Sequence, residues 1–221
     1  AIASVVVEYE EKGVKTYVDM FNELVDYYEP FSERTDTWNS KLSIEDLCRI
    51  ATIIKSDMPN ANFCYNDWNY ENGMKRNAIC SVLDKIIAYE NAHPEEGRIL
   101  DHIGMQFHTS INDVEGVRQA LEDMKKYGIP LQITELDIAK KLDGVDYEGA
   151  IQKYKVGDKA EYLAIKKYEQ KLQNEIMKVI SEAMQDGTLE GLTIWSISDE
   201  LSCDMADGKE ASVVGMTYGK D

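Results

Sequence analysis

Five short apolar runs, alternating with longer amphipathic ones, predict an α/β fold: a parallel sheet covered by helices. The runs are apolar enough to be buried on both faces, as parallel strands are. Polar residues also fall in a pattern. Glu23, Asp67, His108, Glu135 and Trp195 each lie at, or just past, the C-terminal end of a run. That edge is the ligand face of a (β/α)8 barrel and of a doubly wound sheet alike. No GxGxxG or Walker sequence follows any run, which weighs against the nucleotide-binding version.

In chain order, Ile2, Val5, Val6 and Tyr9 have helical spacing over residues 1–11, and Gly13 stops the run. Val14 to Phe21 reads as a strand that delivers Asn22 and Glu23 at its end. Ser43-Ile44-Glu45-Asp46 resembles an N-terminal cap, opening a helix to about Asp57 that Pro59 and Asn60 break. Phe63 to Trp68 is the next strand, followed by a helix from about Met74 to Asn91. Ile99 to His108 holds a strand ending in Gln106-Phe107-His108. Asn112 to Glu115 caps a helix through Lys126, closed by Gly128. Leu131 to Asp137 is short, apolar and bounded by Gly128 and Pro130, so it reads as a buried strand. A polar loop is expected to about Gly157, then a long helix from Asp158 to near Gly187. Leu189 to Ile197 supplies the last strand, with an acidic loop to Asp221. Nothing divides the chain, so residues 1–221 form one unit.

The chain has 24 basic and 41 acidic residues, a net charge of −17. That balance argues against nucleic acid and anionic membrane surfaces as partners and fits a neutral or cationic substrate, or merely a soluble surface. No apolar run reaches 18 residues, so no membrane-spanning segment is expected. Ala1 to Val7 is apolar but lacks the basic start of a signal peptide. Cys48, Cys64, Cys80 and Cys203 have neither CxxC spacing nor histidines at zinc-ligand distance, and free thiols are expected. Asp143, Asp146 and Glu148 invite a calcium-loop reading, but their spacing fails the EF-hand pattern. No metal and no cofactor is expected.

The chemistry concentrates at Glu135 and Asp137. Residues two apart on a strand face one side, so both carboxylates point to one place, where burial and like charge penalise them. A rim salt bridge is the plain alternative. A second strand-end acid, Glu23, favours function. Two carboxylates at one mouth suit glycoside hydrolysis, one protonating the leaving oxygen and the other attacking the anomeric carbon or activating water. Asn22, directly before Glu23, is placed to donate to a sugar hydroxyl. A lone histidine is more often structural, but Gln106 beside His108 and Asp137 on a neighbouring strand favour a role in holding a carboxylate. Trp195 reads as core or as a platform for a pyranose face.

Leu131-Gln132-Ile133-Thr134-Glu135-Leu136-Asp137 resembles the nucleophile strand of the glycoside hydrolase family 10 endo-1,4-β-xylanases. Asp19-Met20-Phe21-Asn22-Glu23 resembles that family's acid/base strand. Phe63 to Asn69 is similar to its Tyr-Asn-Asp-Tyr-Asn segment, Ile103 to His108 to its Ile-Gly-Leu-Gln-Ser-His strand, and Thr193 to Asp199 to its final strand. The resemblance implies a (β/α)8 TIM barrel and hydrolysis of internal β-1,4 bonds of xylan with retention, without a cofactor. It makes Glu135 the nucleophile and Glu23 the acid/base. Asn22, Asn66, Gln106, His108 and Trp195 then bind substrate, and His108 with Asp137 supports the nucleophile.

Two departures stand out: Val18 and Cys203 occupy positions where the family usually has Trp. No counterpart of the first three strands is found, so the chain is expected to supply strands four to eight, the C-terminal portion of a catalytic domain. Its partners are then xylan or xylo-oligosaccharide and the N-terminal part of the barrel, with carbohydrate-binding modules inserted before the first helix in some relatives. Alone, such a partial barrel is expected to be inactive and to self-associate through its open edges. The resemblance places the protein outside the cell, secreted, periplasmic or on the surface. The competing readings are another retaining β-glycanase of the same barrel architecture, and a non-catalytic carbohydrate-binding fragment.

Overall fold

The computed structural model describes residues 2–34 and 41–195. Its elements are α1 (Ile2–Glu11), β1 (Tyr17–Asn22), α2 (Ile44–Asp57), β2 (Asn62–Trp68), α3 (Gly73–Ala92), β3 (His102–Gln106), β4 (His108–Ser110), α4 (Val114–Lys125), β5 (Leu131–Ala139), α5 (Tyr147–Lys155), α6 (Ala160–Gln185) and β6 (Leu189–Ile194). Local chemistry fixes several boundaries. Ser43 and Asp46 form a reciprocal capping box at the start of α2. The Asn72 side chain accepts from the backbone of Met74 and Lys75 and opens α3. Gly187 takes φ +79° just past the end of α6, where a side chain would be strained.

The strands pair in parallel in the order β1-β2-β3-β5-β6, and β4 continues alongside β5. Helices α2, α3, α4 and α6 pack each on the next in the same order as the strands. They therefore form one layer on one face of the sheet, whereas a doubly wound sheet would carry helices on both. The apolar core lies between that layer and the sheet, around Phe63, Tyr65, Ile79, Leu83, Ile103, Met105, Leu121 and Ile176.

The opposite face is concave and polar. Side chains two strands apart touch across it, which a flat sheet with strands about 4.8 Å apart would prevent for short residues. The Thr134 hydroxyl on β5 donates to Asn66 Oδ1 on β2 at 2.7 Å, passing over β3. Tyr17 on β1 meets His102 on β3 edge-on, with ring centroids 4.9 Å apart. Gly104 of β3 lies between Asn66 and Thr134. A Cβ there would stand 2.7 Å from Asn66 Oδ1 and 2.9 Å from Thr134 Cγ2. The absence of a side chain on the middle strand thus permits the curvature. Among the described residues β1 and β6 each pair on one side only.

Two sequence expectations need correction. The run Ile99–His108 is not one strand. It breaks at Phe107, whose ring is buried in the core, so Gln106 and His108 belong to separate ladders. The polar stretch before Gly157 is not all loop, because it contains α5. Asp146 caps that helix through Gly149 N–H, and the Tyr147 hydroxyl donates to Glu169 on α6. The first is a local cap and the second a contact with a distant residue, and hydrophobic spacing registers neither. Ser196, Ile197, Cys203 and the expected acidic loop lie outside the described residues.

Gly104→Ala is expected to destabilise the fold by roughly 1–3 kcal/mol, because the added methyl must displace Asn66 or Thr134. Urea unfolding of the two proteins measures the difference. Unchanged stability would show that the curvature does not depend on this contact.

Candidate active site

Glu23 follows a β-bulge and Glu135 lies within one. On β1, Asp19 pairs with Cys64 while Phe21 pairs with Tyr65, so β1 carries one extra residue just before Asn22 and Glu23. On β5, Ile133 pairs with Leu192 and Leu136 with Ile194, which leaves an extra residue around Thr134 and Glu135. A bulge re-aims the side chains that follow it. Phe21 turns into the core, 1% exposed, and consecutive Thr134 and Glu135 both reach the concave face. Glu23 sits at φ +52°, left-handed for a non-glycine residue, and its N–H donates to Asn66 O at 2.8 Å. Such a backbone persists only where neighbours impose it.

The two acids face one cleft of about 690 Å³, also lined by Asp19, Asn22, Tyr27, Trp68, Gln106, His108, Asp137 and Trp195. At one wall His108 lies between two carboxylates. Its Nδ1 is 2.9 Å from Asp137 Oδ2 and its Nε2 is 3.1 Å from Glu135 Oε2. The ladder register, which pairs His108 with Asp137, makes this geometry. Burial acts to lower the imidazole's pKa. The hydrogen bond and charge of Asp137, then the charge and hydrogen bond of Glu135, outweigh it, and the net direction is upward. Asp19 shares the cleft, and its desolvation there, followed by the charge of Glu135, raises its carboxyl.

Glu23 is held at the other wall. The Tyr27 hydroxyl donates to its Oε2 at 2.7 Å, Arg34 lies 3.5 Å from the same oxygen, and Gln106 Nε2 donates to Oε1 at 3.2 Å. Arg34 also stacks over the Tyr27 ring at 4.2 Å and donates to its hydroxyl. Tyr27 packs in turn against Trp68, with centroids 5.6 Å apart. Trp195 stands edge-on to His108 at 5.7 Å and is 48% exposed, so it belongs to the cleft and not to the core.

The cleft therefore gathers Glu23, Glu135, Asn22, Gln106, His108, Asp137 and Trp195 in one place. Asn66 is the exception. Expected among the substrate-binding residues, it is 1% exposed and lies beneath the cleft, because β2 is flanked by β1 and β3. Its Nδ2 donates to Asn22 Oδ1 at 3.1 Å while its Oδ1 accepts from Thr134, so it orients Asn22 from below. Sequence reasoning missed Asp19, Tyr27, Arg34 and Trp68. Asp19 and Trp68 stand inside segments that resemble the family's, but Tyr27 and Arg34 come from an irregular loop with no periodic signal. Cys48, Cys64 and Cys80 are free, and burial pushes the Cys48 and Cys64 thiols up to about 12.

Glu71, close enough to His108 to feel its charge, has an Oε2 that is buried with no hydrogen-bond partner among the described residues. Burial is the main cause that pushes its carboxyl up to about 7. A carboxyl that holds its proton more tightly folded than unfolded makes stability fall as pH rises from its ordinary 4.5 to about 7. His108, with its pKa raised, adds stability that is full below its unfolded pKa and is lost as pH climbs through the folded one. Unfolding free energy is therefore expected to decline over this interval, with at most about 3 kcal/mol from Glu71. In Glu71→Gln the decline becomes shallower. Denaturant midpoints at pH 4.5, 6 and 7.5 measure it, and parallel profiles for the two proteins would contradict the assignment.

Residues 1–212 match glycosyl hydrolase family 10. The chain is 28% identical over 195 residues to endo-1,4-beta-xylanase A of Thermotoga neapolitana, covering 86% of this chain and 16% of that protein. It is 27% identical over 123 residues to endo-1,4-beta-xylanase B of Paenibacillus barcinonensis, 55% of this chain and 35% of that one. Among solved structures, xylanase XynB of Paenibacillus barcinonensis superposes with a TM-score of 0.69 at 22% identity, over 96% of this chain and 59% of that one. Xylanase 10B of Thermotoga petrophila, in complex with xylobiose, gives 0.66 at 22% identity, over 96% and 57%. The chain thus spans little more than half the length of these structures and much less of the curated relatives. With its one-sided helix layer and concave polar sheet it is part of a (β/α)8 TIM barrel, and it belongs to glycosyl hydrolase family 10.

Proposed function

We propose that this chain carries both catalytic carboxylates of a retaining endo-1,4-β-xylanase, and that its strands take the places of the fourth to eighth of a catalytic barrel, β3 and β4 together filling one of them. One observation carries the reading: Asp137–His108–Glu135 forms a hydrogen-bonded chain on one wall of a cleft whose other wall holds Glu23. The relatives' names and the xylobiose bound to one of them support xylan or a xylo-oligosaccharide as substrate.

In the first step one Glu135 oxygen attacks the anomeric carbon. The bond from that carbon to the glycosidic oxygen breaks, and Glu23 gives its proton to the departing oxygen. His108 holds Glu135 Oε2, which leaves Oε1 to attack. In the second step water attacks the same carbon, passes a proton to Glu23 and releases Glu135. Tyr27, Arg34 and Gln106 hold the two Glu23 oxygens in place at the cleft wall. Trp195 and Trp68 offer aromatic faces for the apolar faces of the sugar rings.

In the intact protein, Glu135→Gln is expected to lower kcat on xylan by at least about three orders of magnitude with an unchanged circular dichroism spectrum. Near-normal turnover with a native spectrum would sink the nucleophile assignment. Glu23→Ala is expected to spare kcat/KM for aryl xylobiosides with good leaving groups, which need little protonation, while xylan hydrolysis collapses. Equal losses on both substrates would remove Glu23 as the acid.

A further inference from the structure

Lys75 occupies the first turn of α3 and is fully buried. A cation there opposes the helix dipole and loses its hydration, and a methionine of similar shape would avoid both costs. Burial lowers its pKa, and the nearby Asp67 acts against that shift. The ammonium has three donors, and three acceptors take them. Asp67 Oδ1 lies at 3.1 Å, Val25 O at 2.9 Å and Asp26 O at 3.1 Å.

Those two carbonyls belong to the second and third residues after Glu23. They open a hairpin in which Val25 bridges Glu33, Asp26 N–H donates to Ser32 O, and Arg34 N–H donates to Leu24 O. Tyr27 and Arg34, which hold Glu23 Oε2, sit on this same hairpin. Asp67 also accepts from the Tyr65 hydroxyl and from Trp68 N–H, and the ammonium lies 5.0 Å from the Trp68 ring centroid. One buried charge therefore joins β2, the Trp68 wall and the loop that carries Glu23.

We propose that Lys75 is a positioning residue that fixes Glu23 for proton transfer, by holding the carbonyls of Val25 and Asp26 from inside the fold. Without it two inward carbonyls lose their donor, and the loop must shift to reach others. Glu23, in a left-handed conformation at the root of that loop, moves with it. A displacement of about 1 Å costs on the order of 100-fold in rate. The inference rests on the reading of Glu23 as the acid/base.

The test is Lys75→Met/Asp67→Asn in the intact protein, which removes both charges together and avoids stranding one. Thermal unfolding checks the fold, and kcat/KM, which reports glycosylation, is measured on xylan and on an aryl xylobioside with a good leaving group. The expected result is a loss of about 100-fold on xylan and less than about threefold on the aryl substrate. A purely structural lysine would lower both equally through the folded fraction. Equal losses, or none, overturn the proposal. If the double variant does not fold, Lys75→Gln is read on the same ratio, where a change below about threefold overturns it. Glu23→Ala is the reference. If it shows the leaving-group dependence and the lysine variants do not, only this inference falls. If Glu23→Ala itself lowers both equally, the acid assignment and the inference fall together.

Discussion

The site depends on one register. β4 sets His108 opposite Asp137 on β5, and the bulge in β5 then turns Glu135 toward the same imidazole. Three ionisable groups are thereby joined within hydrogen-bonding distance, at 2.9 and 3.1 Å. Two adjacent carboxylates repel each other if nothing lies between them. The imidazole relieves that repulsion, and its own raised pKa is the counterpart of the relief. A slip of one residue would send Asp137 to the opposite face and leave Glu135 without its support.

The rest of the concave wall makes room for that arrangement. Gly104 lets Asn66 and Thr134 meet across the middle strand, and their bond fixes the Asn22 amide beside Glu23. The Lys75–Asp67 pair holds the opposite rim, although a buried ion pair contributes little net stability. Glu71 sits close to His108, with no hydrogen-bond partner for one oxygen among the described residues. Several of the buried polar groups stand in or next to the cleft wall, while most side chains between the sheet and the helices are apolar. Stability comes from that interface, and placement of the acids comes from the polar wall.

Much of this was legible in the sequence because the signals were periodic. The strand–helix alternation, the capping box at Ser43 and the acids at strand ends all depend on nearest neighbours in the chain. Glu135 and Asp137 share a face as their spacing requires, and His108 holds both. What escaped depends on contacts between distant segments. The break at Phe107 follows from a ring seeking the core, and α5 is stabilised by Tyr147 reaching Glu169. Asn66 was expected to bind substrate because its segment resembles one of the family's, but the strands on both sides bury it. Tyr27 and Arg34 reach Glu23 from a hairpin whose path no local pattern encodes.

The proposed role of Glu135 is to form the covalent bond to the sugar. A 2-deoxy-2-fluoro xylobioside with a good leaving group tests it directly, because the fluorine slows both steps and the leaving group restores the first. The intact protein is treated with this reagent, digested and sequenced by mass spectrometry. A single fluoroxylobiosyl adduct is expected, on Glu135, absent from Glu135→Gln. An adduct on Glu23 or elsewhere, or xylan hydrolysis that inverts the anomeric centre, would contradict it.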